Sequence, residues 1–179
     1  AYSGHGTFVL VGTGIEDVRG SALGDFDGDC DLDFIYTSNS GSDLMLNDGS
    51  GNFVSAGHSF GDETSRIDTA DLDLDGDLDV VIERSFATNI WLNDGNANFS
   101  LTPQSPISRR LQGDRLVDLN NDMFPDLLFS YYDGYMLYLN DGTATFTDPG
   151  SPIPEIVASG CRFGDLDNDG DLDIWNSGK

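Results

Sequence analysis

An aspartate-rich segment returns along the chain at a nearly constant interval, and this repetition constrains the fold more than any other feature. Its copies, DFDGDCDLD, DLDLDGDLD, DLNNDMFPD and DLDNDGDLD, are spaced 46, 47 and 47 residues apart and begin at Asp25, Asp71, Asp118 and Asp165. A second motif, beginning LNDG, keeps the same step and ends at Phe53, Phe99 and Phe146, and SGHGTF, ending at Phe8, is a remnant of it. A fixed period of this length indicates that one structural unit recurs along the chain.

Each unit contains four short runs that are typical of β-strands. A run such as VVIER follows the aspartate segment, NIWLN precedes the NDG turn, NFSLT follows it, and a run such as RLVD leads into the next aspartate segment. These runs are rich in β-branched and aromatic residues and are too short for helices, and Asp-Gly turns between such runs indicate hairpins. We therefore predict an all-β fold, a β-propeller built of four-stranded antiparallel blades with about four repeats of about 47 residues.

The repeats divide the chain without leaving room for a second domain. We expect a single, partial propeller domain over residues 1–179, with repeats at about 1–19, 20–65, 66–112, 113–158 and 159–179. The first of these is an outer-strand remnant, TFVLV, and the last is an incomplete blade. Because unpaired strand edges favour association, we expect a larger propeller or one that another chain completes.

The charge of the chain limits its partners. The formal net charge is -24, aspartate supplies most of it, and the one lysine is Lys179. Such a surface disfavours nucleic acid and anionic membranes and favours cations, although a high-salt habitat could produce the same bias. No apolar run has the length of a membrane span, so we expect neither nucleic-acid binding nor membrane insertion.

The aspartate segments have the composition of a calcium loop. Counted from the first aspartate, positions 1, 3, 5 and 9 carry a side-chain oxygen in all four loops, and position 7 is assigned to a backbone carbonyl because Phe124 cannot ligate through its ring. Oxygen-only crowns suit Ca²⁺ better than Mg²⁺, and zinc would require histidine or thiolate. We predict up to four Ca²⁺ ions, with these metal residues: Asp25, Asp27, Asp29, Asp31, Asp33, Asp71, Asp73, Asp75, Asp77, Asp79, Asp118, Asn120, Asp122, Phe124, Asp126, Asp165, Asp167, Asp169, Asp171 and Asp173.

The four loops differ at position 6. Gly76 and Gly170 allow a sharp bend there, whereas Cys30 and Met123 predict strained or weaker loops. The third loop has one aspartate fewer among its ligands and contains Pro125, so it is expected to be the weakest site.

Other interpretations of the loops fit less well. Plain Asp- and Gly-rich turns would not keep oxygens at the same four positions in every copy. An EF-hand needs a bidentate glutamate at position 12 and flanking helices, but strands flank these loops and position 12 is Tyr36, Ile82, Phe129 or Asn176. No nucleophile, base and orienting group recur together, and the calcium sites already use the paired carboxylates, so we expect no enzyme.

Several other positions carry structural expectations. Met45, Trp91 and Tyr138 share one repeat position and are expected to pack between blades, as is Trp175, which matches Ile35, Val81 and Leu128. Ala22, Asp68, Arg115 and Arg162 are predicted to line a central channel, as a salt-bridged wall or as an anion site. Tyr131, Tyr132 and Tyr135 flank a hairpin tip, where they are either plain surface residues or a sugar-stacking platform. No disulfide is expected between Cys30 and Cys161.

The pattern DxDxDGxxD between two strands, followed by a WLNDGxGxF-like strand and turn, resembles the FG-GAP/VCBS repeat family, whose members include the integrin α propellers. The resemblance covers nearly the whole chain. It implies an extracellular or cell-surface propeller in which calcium is mainly structural and ligands bind elsewhere. The expected function is a scaffold for adhesion, surface assembly or protein–protein interaction, including self-association or completion of the open blade. The alternative is a lectin-like carbohydrate-binding module from a larger secreted enzyme.

Overall fold

The described part of the chain forms three four-stranded antiparallel sheets and one two-stranded sheet. The structure is a computed structural model, and it describes residues 15–61, 64–84, 87–104, 114–131, 134–150, 161–169 and 172–176. None of these residues forms a helix. Within the same residues, no helix has the length and apolar character needed to cross a membrane.

The strands follow one another in each sheet as a simple meander. Sheet 1 consists of β1 (Val18–Gly24), β2 (Asp33–Ser38), β3 (Gly41–Asn47) and β4 (Phe53–Ser55). Sheet 2 consists of β5 (Thr64–Ala70), β6 (Asp79–Arg84), β7 (Ala87–Asn93) and β8 (Phe99–Leu101). Sheet 3 consists of β9 (Asp114–Val117), β10 (Asp126–Tyr131), β11 (Gly134–Asn140) and β12 (Phe146–Thr147), and sheet 4 of β13 (Cys161–Gly164) and β14 (Asp173–Asn176). The predicted four-stranded antiparallel units are confirmed in sheets 1–3.

The first three sheets stand side by side in sequence order. Strand β5 contacts β1 and β2 of sheet 1, and it also contacts β9 of sheet 3. Asp68 of β5 reaches across this boundary, where its Oδ2 accepts a hydrogen bond from the Leu116 N–H over 3.3 Å. The first strands of the sheets therefore lie closest together, which is the arrangement of neighbouring propeller blades.

Two hydrophobic cores fill the spaces between the sheets. The first core lies between sheets 1 and 2 and is built from Phe26, Ile35, Leu44, Phe60, Val80 and Ile82. The second core lies between sheets 2 and 3 and is built from Leu72, Val81, Ile90, Leu127, Phe129, Ala144 and Phe146. Most of the residues in the two cores occupy equivalent repeat positions, so sheets 1 and 2 pack together in the same way as sheets 2 and 3.

Strand β6 shows how a single sheet serves both cores. Neighbouring side chains of a strand point to opposite faces. Val80 and Ile82 accordingly enter the first core, while Val81 between them enters the second. Sheet 2 thus has a neighbour on both faces, which explains why β6 is a continuous apolar run rather than a polar–apolar alternation.

The asparagines of the second and third NDG turns connect neighbouring sheets. Asn93 donates from Nδ2 to the carbonyl of Phe26 over 2.9 Å, and Asn140 donates from Nδ2 to the carbonyl of Leu72 over 2.8 Å. Both bonds are buried and join a sheet to the aspartate loop of the preceding sheet. Asn47 in sheet 1 donates instead to Leu32 of its own sheet, in an exposed position.

The packing predictions hold for Trp91 and Tyr138, whereas Met45 is partly exposed and belongs to neither core. Trp91 packs against the first core and Tyr138 against the second, as expected for residues between blades. Trp175 differs, because its side chain is 53% exposed although its equivalents in sheets 1–3 are 0–2% exposed. The position faces the following sheet, and for sheet 4 no following sheet is described.

Some predictions concern residues outside the described part of the chain. The TFVLV remnant and Tyr132 lie there, as do the side chains of Arg115, Arg162, Tyr131, Tyr135 and Cys161. The channel, tyrosine and disulfide predictions therefore stay predictions for those residues. Cys30 is free and exposed.

Replacing the connecting asparagine tests the contact between sheets. Asn93→Ala leaves the buried carbonyl of Phe26 without its side-chain donor, and we expect a loss of about 1–3 kcal/mol in the free energy of unfolding. Asn47→Ala is the matched control, because its bond is exposed and stays within one sheet, and it should cost less than about 1 kcal/mol. Chemical denaturation of both variants in calcium measures the difference, and equal losses would contradict a special role for the bond between sheets.

Candidate metal centres

Each aspartate segment forms the turn between the first two strands of its sheet. Loop 1 (25–33) joins β1 to β2, loop 2 (71–79) joins β5 to β6, loop 3 (118–126) joins β9 to β10, and loop 4 (165–173) joins β13 to β14. The last residue of each loop is also the first residue of the following strand. That strand therefore holds position 9 in place, whereas positions 1–8 are held by bonds within the loop and, at position 2 of loops 1 and 2, by the next sheet.

The carboxylate at position 1 organises the bend. Asp25 accepts hydrogen bonds from the backbone N–H groups of Gly28 and Cys30, at 2.8 and 2.9 Å. In loop 2, Asp71 accepts from the N–H of Gly76 at position 6 over 3.0 Å. Loop 3 repeats that bond between Asp118 and the N–H at position 6 over 2.8 Å. One carboxylate thus curls the backbone so that the following side chains point toward a common centre.

The carboxylate at position 9 closes the loop from the other side. In loop 2, Asp79 accepts from the Leu72 N–H over 2.8 Å and from the Asn93 N–H over 2.9 Å. In loops 1, 3 and 4 the equivalent carboxylate accepts from the N–H at position 2, at 2.9–3.0 Å. Sequence reasoning assigned this residue to the metal alone, whereas the structure also gives it the role of a brace between loop and strand.

Three loops bring carboxylates close enough to share a cation. The groups whose oxygens lie within 4.8 Å of one another are Asp25, Asp27 and Asp29; Asp71, Asp73 and Asp79; and Asp165, Asp167 and Asp173. Asp33, Asp75 and Asp169 belong to the same loops but lie outside these groups, and Asp171 lies outside the described residues. The three groups have the donor chemistry that a hard divalent cation requires.

The carboxylates of loop 2 are the ones best suited to a positive charge. Asp71 Oδ1 and Asp73 Oδ1 are buried oxygens without a hydrogen-bond partner. Burial raises the pKa of Asp73, and the neighbouring Asp75 and Asp71 carboxylates raise it further. Burial also raises the pKa of Asp79 to about 7, despite its two backbone donors. A cation at this point would give the two free oxygens a partner and would favour the ionised forms. The residues present therefore fit a bound metal ion.

Loop 3 is built differently. Among the described residues, which include the whole of this loop, its three aspartates do not form a group of the kind found in loops 1, 2 and 4. Asn120 turns its amide toward Asp122 and donates to its Oδ2 over 2.8 Å. The loop thus satisfies one carboxylate with an internal donor, and its rank as the weakest site stays a prediction.

The side chains at position 7 lie against the NDG turn. A Cβ added to Gly49 would lie 2.5 Å from Asp31 Oδ2, and one added to Gly95 would lie 2.5 Å from Asp77 Oδ2. In loop 3 the ring of Phe124 occupies the same place against Gly142. Because a carboxylate and a phenyl ring fill one space here, the side chain at position 7 is a packing element, which supports the assignment of the backbone carbonyl as the ligand.

A left-handed backbone occurs at position 4 of all four loops and at position 6 of loops 1–3. At position 6, Cys30 and Met123 have φ of 73° and 76°, and Gly76 has φ of 100°, as the prediction of strain in loops 1 and 3 required. Position 4 was missed: Gly28, Leu74, Asn121 and Asn168 have φ between 57° and 78°. The signal was present, since glycine and asparagine are the residues that adopt this conformation most readily, and Leu74 is the exception.

A half-buried histidine also escaped sequence reasoning. The ring centroid of His58 lies 4.4 Å from that of Phe60 and 5.4 Å from that of Trp91. Burial lowers the pKa of His58. His58 therefore packs against aromatic residues of the first core and is not one of the proposed metal ligands.

The chain matches a family model described as an FG-GAP-like repeat over residues 25–82 and 118–175. Among solved structures, it is similar to an Agrocybe aegerita lectin that recognises non-reducing terminal N-acetylglucosamine, with a TM-score of 0.50, 23% identity and coverage of 70% of this chain. The chain spans 36% of that lectin's length. The Tc holotoxin pore of Photorhabdus luminescens is similar with a TM-score of 0.42 and 15% identity, over 92% of this chain and 11% of that one. No curated protein sequence matches the chain.

Relieving the strain at position 4 of loop 2 tests the loop geometry. Leu74 has φ of 57° and is 47% exposed, so Leu74→Asn removes strain while losing little packing. We expect an increase of about 1 kcal/mol in the free energy of unfolding, or about 2–4 °C in melting temperature. Leu101→Asn is the control, because Leu101 is 46% exposed on β8 without a positive φ. Thermal melts that rank Leu74→Asn at or below this control would contradict the backbone argument.

Proposed function

Because the chain belongs to the FG-GAP-like repeat family, we propose that it is a calcium-stabilised extracellular β-propeller scaffold for adhesion, surface assembly or protein–protein interaction, without enzymatic activity. The observation that carries the calcium proposal is the pair of buried, partnerless oxygens of Asp71 and Asp73. Family repeats with acidic loops, sheets packed side by side and a net charge of -24 all support it. Millimolar calcium outside cells suits exposed oxygen loops of moderate affinity.

The proposed ligands are the side chains at positions 1, 3, 5 and 9 with the backbone carbonyl at position 7. When bound, calcium supplies positive charge to a cluster of carboxylates that would otherwise repel one another. The chain itself fixes the loop through the backbone donors to positions 1 and 9. The ion thus stabilises a turn whose shape the chain already sets. A repeat stabilised in this way keeps the neighbouring sheets in a fixed orientation, which gives a partner a rigid surface to bind.

Calcium removal is the first test of this proposal. The unfolded chain lacks the site, so calcium at about 1,000 times its dissociation constant adds about 4 kcal/mol for a single site, or about 10 °C in melting temperature. We expect excess EDTA to lower the melting temperature by at least this amount. Asp73→Asn should reduce the number of bound calcium ions by one, as measured by calorimetric titration.

The same variant has a second signature that a structural role alone would not give. In calcium, Asp73→Asn should be less stable than the parent chain because it loses a ligand. In EDTA it should be at least as stable, because it removes one of several crowded negative charges. Asp48→Asn is the matched control: Asp48 accepts from Asn52 in the NDG turn of sheet 1, so its effect should be the same with and without calcium. A melt unchanged by EDTA would refute the calcium proposal.

A carbohydrate-binding module is the second candidate. It is favoured by the similarity to a lectin fold, although at 23% identity that similarity concerns the fold alone. A glycan array that includes terminal N-acetylglucosamine separates the two candidates. Reproducible binding to one sugar class in calcium would establish the lectin function, whereas the scaffold proposal predicts no glycan above background.

A further inference from the structure

We propose that Asn93 and Asn140 are positioning residues for the metal loop of the sheet that precedes their own. The inference rests on the proposed calcium-stabilised scaffold and names residues that complete its metal centres. It is carried by buried hydrogen bonds that cross from one sheet to the loop of another and end between two proposed ligands. The metal centres of loops 1 and 2 are therefore each built from two repeats rather than from one.

The backbone between two ligands of loop 2 is fixed on both sides of Leu72. The Leu72 N–H donates to Oδ2 of Asp79 over 2.8 Å, and its carbonyl accepts from Nδ2 of Asn140 over 2.8 Å. Because a peptide unit is planar, the first bond fixes the unit that joins Asp71 to Leu72, and the second fixes the unit that joins Leu72 to Asp73. One bond comes from the loop itself, whereas the other comes from sheet 3.

The two aspartates joined in this way are the ones whose oxygens lack partners. Asp71 Oδ1 and Asp73 Oδ1 are buried and have no hydrogen-bond partner. Both carboxylates belong to one group with Asp79, in which the oxygens lie within 4.8 Å of one another. A cation can use both free oxygens only if both side chains start from the correct backbone positions. Asn140 sets one of those positions, so it acts on the site through Leu72 and not as a ligand.

Asn140 is itself held firmly enough to set that position. It is 2% exposed, and its N–H donates to Asp126 over 2.9 Å. Its Oδ1 accepts from the Gly142 N–H over 3.1 Å, which identifies the other side-chain atom as the donor nitrogen. That nitrogen also donates to the carbonyl of Pro125 over 3.2 Å. These partners all belong to sheet 3 and its loop, so the position of sheet 3 is transmitted to loop 2.

Loop 1 shows the same construction one repeat earlier. The Phe26 N–H donates to Asp33 over 3.0 Å, and its carbonyl accepts from Nδ2 of Asn93 over 2.9 Å. Phe26 lies between Asp25 and Asp27, which both belong to the metal group of this loop. The arrangement thus occurs twice, and each time the position-2 residue lies between ligand positions 1 and 3.

The bonds give the effect a direction along the chain. The N–H of Asn93 donates to Asp79 of loop 2, and its Nδ2 donates to Phe26 of loop 1, over 2.9 Å in both cases. Substitution by alanine removes the second donor and keeps the first, because the first belongs to the backbone. The loss should therefore fall on the metal loop of the preceding sheet rather than on the loop of the same sheet.

Replacing Asn140 separates positioning from packing. Groups that orient metal ligands typically contribute at least about tenfold to affinity, so Asn140→Ala should weaken one calcium site by about tenfold in calorimetric titration. Its melting temperature should fall further in calcium than in EDTA, by about 3–6 °C, whereas a packing role would lower both equally. Asn98→Ala is the matched control, because Asn98 is exposed and donates to Asp94 in its own turn. The control should leave the calcium affinities unchanged.

Combined substitutions assign the weakened site to loop 2. Asp73→Asn already removes that site, so adding Asn140→Ala should not weaken the remaining sites further. In Asp27→Asn, which disables loop 1 instead, Asn140→Ala should still weaken one site by about tenfold. Asn93→Ala should give the opposite assignment, with the loss in loop 1, and it provides the same test if Asn140→Ala does not fold.

Three results would contradict the inference. Equal losses of melting temperature for Asn140→Ala in calcium and in EDTA, with the calcium titration of the parent chain, would overturn it and leave the calcium proposal standing. A weakening that persists in the Asp73→Asn background would overturn it as well, because the affected site would not be loop 2. A parent chain that binds no calcium would overturn both proposals.

Discussion

In loops 1 and 2 the residue at position 2 is held in three ways at once, and the packing of sheets 1–3 depends on it. The N–H of Phe26 donates to Asp33 of its own loop, its carbonyl accepts from Asn93 and Ala97 of the next sheet, and its ring is buried in the first core. One repeat later, the N–H of Leu72 donates to Asp79 and its carbonyl accepts from Asn140. Loop shape and sheet packing are therefore not separate properties of this chain.

This coupling links the acidic loops to the packing of the sheets beside them. A cluster of carboxylates is costly next to an apolar core, since burial and mutual repulsion both disfavour the charged form. The backbone donors offset part of that cost at positions 1 and 9, but they leave the oxygens of Asp71 and Asp73 without partners. A cation placed there would act on the loop and, through position 2, on the contact between two sheets. The proposed ion and the proposed scaffold function would thus depend on the same contacts.

Much of the fold could be predicted from the sequence because its cause is local or periodic. The 46–47-residue interval defined the units, the short β-rich runs defined the strands, and the NDG turns marked the hairpins. The carboxylate groups in loops 1, 2 and 4 follow from side chains at fixed spacing on one bend. Trp175 and His58 could not be placed in this way, because their exposure depends on whether another sheet or the aromatic cluster lies beside them. The left-handed backbone at position 4 could be predicted only where glycine or asparagine occupies it. In loop 2 the residue is Leu74, which gives no such indication.

Position 2 is attached both to its own loop and to the following sheet, and this determines how the chain can be divided without breaking a contact. A boundary drawn between sheets, for example through residues 56–63, separates Phe26 from the asparagine and the core that hold it. The smallest piece that keeps one complete contact runs from loop 1 through β8, and it contains strands of two sheets rather than of one. The unit that keeps one such contact whole is consequently offset from the sequence repeat, and a duplication or excision that follows only the sequence period cuts a contact at each end.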